Sequence, residues 1–285
     1  MKSKEQKAAI DQAIGRLPRL SAAAIRLLRL VQEPDHGLAE VVAIVKNDAL
    51  LTSRVLMVVN SPVYGRLNKI TGIDHAVSLL GEDLVVGAAM KEAAGLLLDK
   101  KLDGYAAEEG ELWRHNLKTA LAAKILARQT TGKVAPELAF TCGLLHDLGK
   151  AVISDYLGDN AGRIRRAVEQ GKVADFLAAE RVLLGIDHAE AGFTIATKWS
   201  LPVPLPEVCR FHHTPGQAPP MWRELLYIVH LADIVAMLSG VGTGADTLQY
   251  HLDRNYEAYL TLDEKGLPMV VLQVEEEFSK VAEVF

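Results

Sequence analysis

Apolar positions recur at helical spacing along most of the chain. Residues 4–15 read as a short helix ending at Gly15, followed by a Leu17-Pro18 turn. Ser21 is placed to cap a second helix carrying Ile25, Leu28 and Val31, with Pro34 as its stop. Leu38–Val45 and Leu50–Val59 form two more short helices around Asn47-Asp48, and the Asp48 carboxylate can accept from the free amides of the following first turn. Asn60-Ser61-Pro62 breaks the pattern, Ile73–Leu80 closes at Gly81, and Glu82–Leu98 continues. Nothing in these first hundred residues alternates with the period of a half-buried strand.

Lys100–Gly110 is polar and glycine-containing, which predicts a boundary. Beyond it Trp113, Leu117, Leu121, Ile125 and Leu126 make one apolar stripe, and Pro136 opens a helix running through Leu144, Leu145, Leu148 and Val152. Helices over residues 161–169, 173–184 and 188–199 are separated by Gly171 and Gly185-Ile186-Asp187. A short helix sits among the prolines between 202 and 220, and Met221–Leu238 is the last strong pattern. Gly240–Gly244 reads as flexible, Pro268–Leu272 as strand or loop, and Val274–Val284 as a charged helical run. The expected fold is all-α. It comprises an N-terminal bundle of short helices at residues 1–100, longer helices at 101–255, and a tail or packed extension at 256–285.

Composition narrows the class. Apolar residues at 49% and charged residues at 24% suit a globule with a substantial core. A net charge of −5, from 36 acids and 31 bases, argues against nonspecific nucleic-acid binding, which needs a basic face. Arg163, Arg165 and Arg166 read as the wet side of a helix. Cys142 and Cys209 lie in apolar surroundings without a CxxC partner and read as free thiols of a reducing compartment. The charged N-terminus lacks a signal-peptide core, and no apolar run approaches the ~18 residues of a membrane span. A cytoplasmic protein with no membrane association is the expectation.

The chemistry lies in histidines and acids set within apolar helices: His115, His146-Asp147, His188, His212-His213 and Asp233. One such histidine is ordinarily a packed core residue. Several together are harder to satisfy, because each buried imidazole needs partners for both nitrogens, and metal ligation answers one of them. A carboxylate inside Leu144-Leu145-His146-Asp147-Leu148-Gly149-Lys150 is costly unless a cation neutralises it. Neighbouring helical residues point ~100° apart, so both can reach one ion only from a helix edge or end. Gly149 permits a close backbone approach. Lys150 is either an ammonium beside the metal, suited to a phosphate oxygen, or a solvent-facing helix end. His230, three residues before Asp233, reads as a core histidine or a further donor. His36 and His251 read as surface residues, His75 as helical packing, and Glu92 as exposed or as a further carboxylate ligand.

The LLHDLGK segment, with a histidine about thirty residues upstream and an aspartate far downstream, resembles the HD superfamily of metal-dependent phosphohydrolases. The front of the chain is similar to the HDOD family. It carries Leu17-Pro18 with Leu20, Asn47-Asp48-Ala49-Leu50, Asn60-Ser61-Pro62-Val63-Tyr64-Gly65, and the run from Ile73 to Gly81. The resemblance covers roughly residues 10 to 240. It implies a helical bacterial module of signalling or regulation, commonly with a degraded metal motif and no settled activity. Here the donor series instead resembles the full set of the HD-GYP phosphodiesterases. By that resemblance His115, His146, Asp147 and Asp233 would hold one metal, and His188, His212 and His213 a second, with Asp147 bridging. Such ligation suits iron or manganese, with zinc or nickel as alternatives.

Two readings follow. One is a regulatory or signalling module that keeps a dinuclear centre, with a signalling protein or a phosphate-containing small molecule as partner. The other is a phosphohydrolase or phosphodiesterase using a bridging hydroxide, in which Asp147 and Lys150 would be catalytic. The Thr214-Pro215-Gly216 sequence after the histidine pair lacks the Gly-Tyr-Pro element, and the front hundred residues have no counterpart in those phosphodiesterases. A metal-free helical adaptor would require the constellation to be coincidental.

Overall fold

The computed structural model describes every residue except 1, 34, 66–67, 131–133, 263–265 and 283–285. Pro34 as a helix stop and the last residues of the expected 274–284 run therefore lie outside the described residues. The fold is all-α. Fifteen α-helices are described: α1 (Lys2–Arg16), α2 (Ala22–Leu30), α3 (Leu38–Lys46), α4 (Ala49–Val59), α5 (Ile73–Leu80), α6 (Glu82–Leu98), α7 (Glu111–Gln129), α8 (Pro136–Leu145), α9 (Lys150–Leu157), α10 (Ala161–Glu169), α11 (Phe176–Leu184), α12 (His188–Lys198), α13 (Leu205–Phe211), α14 (Arg223–Leu238) and α15 (Gly266–Val281). Among the described residues the only β pairing is an isolated bridge between Leu102 and Ala107. None of the described helices is long and apolar enough to cross a membrane.

The expected caps do their work. Ser21 Oγ accepts from the Ala24 N–H at 3.1 Å, and Asp48 Oδ1 from the Leu51 N–H at 2.9 Å. Asn60 is more than a turn residue, since its side chain bonds the backbone N–H and C=O of Ile70 at 2.7 and 2.8 Å. The side chains form two apolar cores. The smaller one gathers Leu27, Val41, Val45, Val55, Val59, Val77 and neighbours from α2–α5. The larger one surrounds α7 and α8 and takes in α9 and α11–α15. Helix α6 is the shared wall: Val85, Ala88 and Ala89 face the small core, whereas Val86, Met90, Ala94 and Leu98 face the large one. It also meets solvent, with Glu92 and Leu96 exposed.

Several segments add to or depart from the sequence expectation. Lys100–Gly110 is no solvated connection, because Leu102, Gly104, Tyr105 and Ala107 are buried and the stretch packs on α9. Helix α1 packs on α9, α11 and α12 rather than on the short-helix bundle, and Trp199 Nε1 on α12's C-terminal side donates to Pro18 O at 2.8 Å. Pro268–Leu272 is helical, not strand or loop. Pro268 falls in the first turn of α15, where its missing N–H interrupts no helical bond.

The helix expected to run from Pro136 through Val152 is two helices. Residues 146–149 form a turn between α8 and α9, with Lys150 N–H bonded to Asp147 O at 3.0 Å. His146 and Asp147 thus stand at the end of α8, the position from which two adjacent side chains can reach one place. Gly149 stands against the start of α12: a Cβ there would lie 1.8 Å from His188 O and 2.6 Å from Gly192 N.

Candidate metal centre

Five parts of the large core deliver the donors. His115 comes from the second turn of α7, and His146 and Asp147 from the α8–α9 turn. His188 is the first residue of α12, His212 and His213 follow α13, and Asp233 lies in α14. The chain thus brings all seven expected residues together. His115, His146, His188 and His212 are fully buried, Asp147 and Asp233 nearly so, and His213 is partly covered.

The outer nitrogen of each buried imidazole is already committed. Nδ1 of His115 meets Val241 O at 2.9 Å, that of His146 meets Gly143 O at 2.8 Å, and that of His212 meets Cys209 O at 2.9 Å. A carbonyl can only accept, so each Nδ1 carries a proton and each Nε2, a bare lone pair whenever the ring is neutral, is turned inward. Those nitrogens converge on two carboxylates. His115 and His146 Nε2 lie 3.5 and 3.3 Å from Asp147 Oδ2, and 3.1 and 3.8 Å from Asp233 Oδ1. His188 and His212 Nε2 lie 3.6 and 3.5 Å from the other oxygen, Asp147 Oδ1, and His188 Nε2 is 3.0 Å from His213 Nε2. Asp147 therefore presents one oxygen to each of two donor groups.

Acceptor facing acceptor is unfavourable in a dry interior. Nε2 of His115, His146 and His212, Asp147 Oδ1 and Asp233 Oδ1 are buried without a hydrogen-bond partner among the described residues. Protons cannot resolve all of this. Burial opposes a charge on His146, but Asp147 and Asp233 prevail and push its pKa up to about 10. At His212 burial wins over the Asp147 contact and pushes it down to about 4, and burial likewise holds His213 well below its ordinary value. A multivalent cation suits the arrangement better. One ligand atom each from His115, His146 and Asp147 lie within 4.8 Å of one another, as do those of Asp147, His188, His212 and His213. Bonds of about 2.0–2.2 Å to a common ion place neighbouring donors ~3.0–3.5 Å apart, close to the separations found.

Lys150 is buried, not at a solvent-facing end. Its ammonium lies 2.7 Å from Asp147 Oδ2 and from Asp246 Oδ2, and donates to Thr243 Oγ1 at 2.9 Å. Three partners surround its three N–H groups. Burial opposes its charge, but Asp147 and Asp246 hold its pKa above the ordinary lysine value. The segment after α14, expected to be flexible, closes this side of the site. Thr243 and Asp246 are buried, Thr243 donates to Asp246 Oδ1 at 2.7 Å, and Tyr250 stacks on His213 with ring centroids 4.0 Å apart.

The sequence reading missed Glu180, Asp246, Tyr105 and Tyr250. Glu180 had a legible signal: it lies on the stripe of α11 with Phe176, Leu177 and Leu184, so it is an acid on a buried face. Asp246 and Tyr105 had none, since both lie in irregular polar stretches. His230 is a satisfied core histidine, with Nδ1 2.7 Å from His212 O and Nε2 accepting from the Asp253 N–H at 2.9 Å. His36 is not a simple surface residue, as its Nε2 sits 2.7 Å from Glu82. His75 and Glu92 are exposed, and His251 Nε2 contacts Ala174 O.

Known proteins agree with this architecture. The HDOD domain family matches residues 17–215. An uncharacterized protein of Treponema pallidum is 26% identical over 227 residues, which cover 80% of this chain and 43% of that protein. The chain thus spans less than half the length of this relative. Among solved structures, an HDOD domain protein of unknown function from Geobacter sulfurreducens is 26% identical with a TM-score of 0.72, covering 99% of each chain. A candidate phosphohydrolase from Shewanella amazonensis is 26% identical with a TM-score of 0.63, covering 98% of this chain and 97% of that one. With the family's pattern running through both apolar cores and across most of the donor set, the chain belongs to the HDOD domain family.

Proposed function

We propose that the chain is a regulatory or signalling module that retains a closed dinuclear metal centre as a structural or sensing element. The observation that carries this reading is Asp147, whose two oxygens face separate histidine groups in a shell sealed by Lys150, Asp246 and Tyr250. His115, His146 and Asp233 would hold one ion, His188, His212 and His213 the other, and Asp147 both. Iron or manganese fits this mixture of imidazole and bridging carboxylate, with zinc or nickel as substitutes. The partner is a signalling protein or a phosphate-containing small molecule rather than nucleic acid, given the net charge of −5.

A second reading, a phosphohydrolase, is favoured by the completeness of the donor set and by the likeness to the Shewanella protein. Bound ions would supply Lewis-acid charge to a phosphate ester. Against turnover stands Lys150, whose ammonium would have to release Asp147, Asp246 or Thr243 before gripping a phosphate. The segment after His213 adds to this, because Pro219 and Pro220 offer no N–H to phosphate oxygens.

Iron-, manganese- and nickel-loaded protein should therefore turn over cyclic-di-GMP poorly or not at all. A cyclic dinucleotide must be held in line for attack, and misplacement by ~1 Å costs about a hundredfold. Steady-state hydrolysis, with bis(p-nitrophenyl) phosphate as a parallel small ester, is the check. Efficient turnover of cyclic-di-GMP that disappears in His213→Ala would establish the enzyme reading and overturn the regulatory one. Activity on the small ester alone would indicate a competent centre without a dinucleotide pocket.

A further inference from the structure

We propose that Glu180 is a positioning residue that supplies the second ion's half-site with the negative charge it lacks among its direct donors. This rests on the dinuclear reading above. The two half-sites are unequal. Beyond the shared Asp147, the His115–His146 side has a carboxylate of its own in Asp233, whereas the other side has only the imidazoles of His188, His212 and His213. The difference is made up one residue further out. Nδ1 of His115, His146 and His212 donates to neutral backbone carbonyls, but Nδ1 of His188 lies 2.8 Å from Glu180 Oε2 and 3.1 Å from Oε1.

Glu180 is itself an unusual group. It is fully buried, and among the described residues it makes no ion pair with a lysine or arginine. Its carboxylate takes the Tyr105 hydroxyl at 2.7 Å and the His188 backbone N–H at 2.7 Å, both neutral donors. A carboxylate desolvated this far is costly without positive charge nearby. His188 is the contact through which such charge can reach Glu180, from whatever sits at the ring's Nε2. A carboxylate behind a ligating histidine fixes the ring and its tautomer and makes the far nitrogen a stronger donor.

The competing role is purely structural: Glu180 would only tie the start of α12 to α11. Glu180→Gln separates the two roles, because the amide oxygen can still accept from His188 while the charge is gone. Chelator-stripped full-length protein is titrated with manganese(II) alone by calorimetry, and the metal-free forms are melted in parallel. The inference expects the metal-free melting temperature to stay near wild type and the first manganese to bind as in wild type. The second should weaken by about 10–100-fold. Wild-type affinity for both ions in Glu180→Gln overturns the inference and leaves the dinuclear reading intact, whereas a wild-type protein that binds no manganese sinks both. If Glu180→Gln does not fold, Tyr105→Phe decides. Withdrawing the hydroxyl proton from the carboxylate should tighten the second manganese a few-fold, and unchanged or weaker binding contradicts the role.

Discussion

On the dinuclear reading, Asp147→Asn should weaken the binding of both ions by at least ~100-fold, whereas His188→Ala should weaken only one. The asymmetry follows from the two carboxylate oxygens, one 3.3 Å from His146 Nε2 and the other 3.5 Å from His212 Nε2. Replacing one oxygen by an amide nitrogen removes the shared negative charge and turns two N–H donors toward a site built of lone pairs and a cation. Taking one partner from a buried charge pair costs on the order of 3–5 kcal/mol, at least ~100-fold in affinity. The loss would fall on both ions, because both would share the residue. Removing the neutral His188 imidazole deprives one ion of one donor. Manganese titration and elemental analysis of the two variants make the comparison. Equal loss, or greater loss in His188→Ala, would contradict the shared role of Asp147.

Gly149→Ala should be among the most damaging single-methyl additions in the chain. The new Cβ would lie 1.8 Å from His188 O, 2.6 Å from Gly192 N and 2.8 Å from His188 C, all backbone atoms that no rotamer change can move aside. Helices α9 and α12 must separate, and His188 moves away from Asp147 as they do. Overpacking typically costs about 1–3 kcal/mol and more where the backbone must shift, so a loss of ~3 kcal/mol or greater is expected. Gly15→Ala is the matching control, since its Cβ meets nothing within 4 Å and α1 is already helical there. That substitution should stabilise by roughly 0.4–1 kcal/mol. Urea unfolding of the two variants beside wild type gives the answer, and a Gly149→Ala protein within ~0.5 kcal/mol of wild type would show that α9 and α12 are not held at this contact.

Periodicity made most helices readable because burial is one-sided along them. Ser21, Asp48 and Gly81 stand where their local chemistry places them. The seven clustered side chains were readable for a different reason: each is a polar group in an apolar run, and only a shared purpose explains so many. What escaped depends on long-range placement. Lys150 could be read either as an ammonium beside the metal or as a helix end, and only the fold brings Asp246 and Thr243, some ninety residues away in sequence, onto its ammonium. The α8–α9 break was hidden because Leu144, Leu145, Leu148 and Val152 keep helical spacing across a turn whose first and last residues, His146 and Gly149, retain near-helical angles. In Lys100–Gly110, read as a boundary from its polar composition, a few apolar side chains with Tyr105 foremost are buried, which composition alone does not show.

The most direct test of the account is manganese stoichiometry of the stripped full-length protein, followed by electron paramagnetic resonance of the loaded sample. A centre shared through Asp147 predicts about two manganese ions per chain, a few ångströms apart and magnetically coupled, with the coupled signal absent in Asp147→Asn. A wild-type protein that binds no manganese, or that binds ions giving only uncoupled signals, would contradict it.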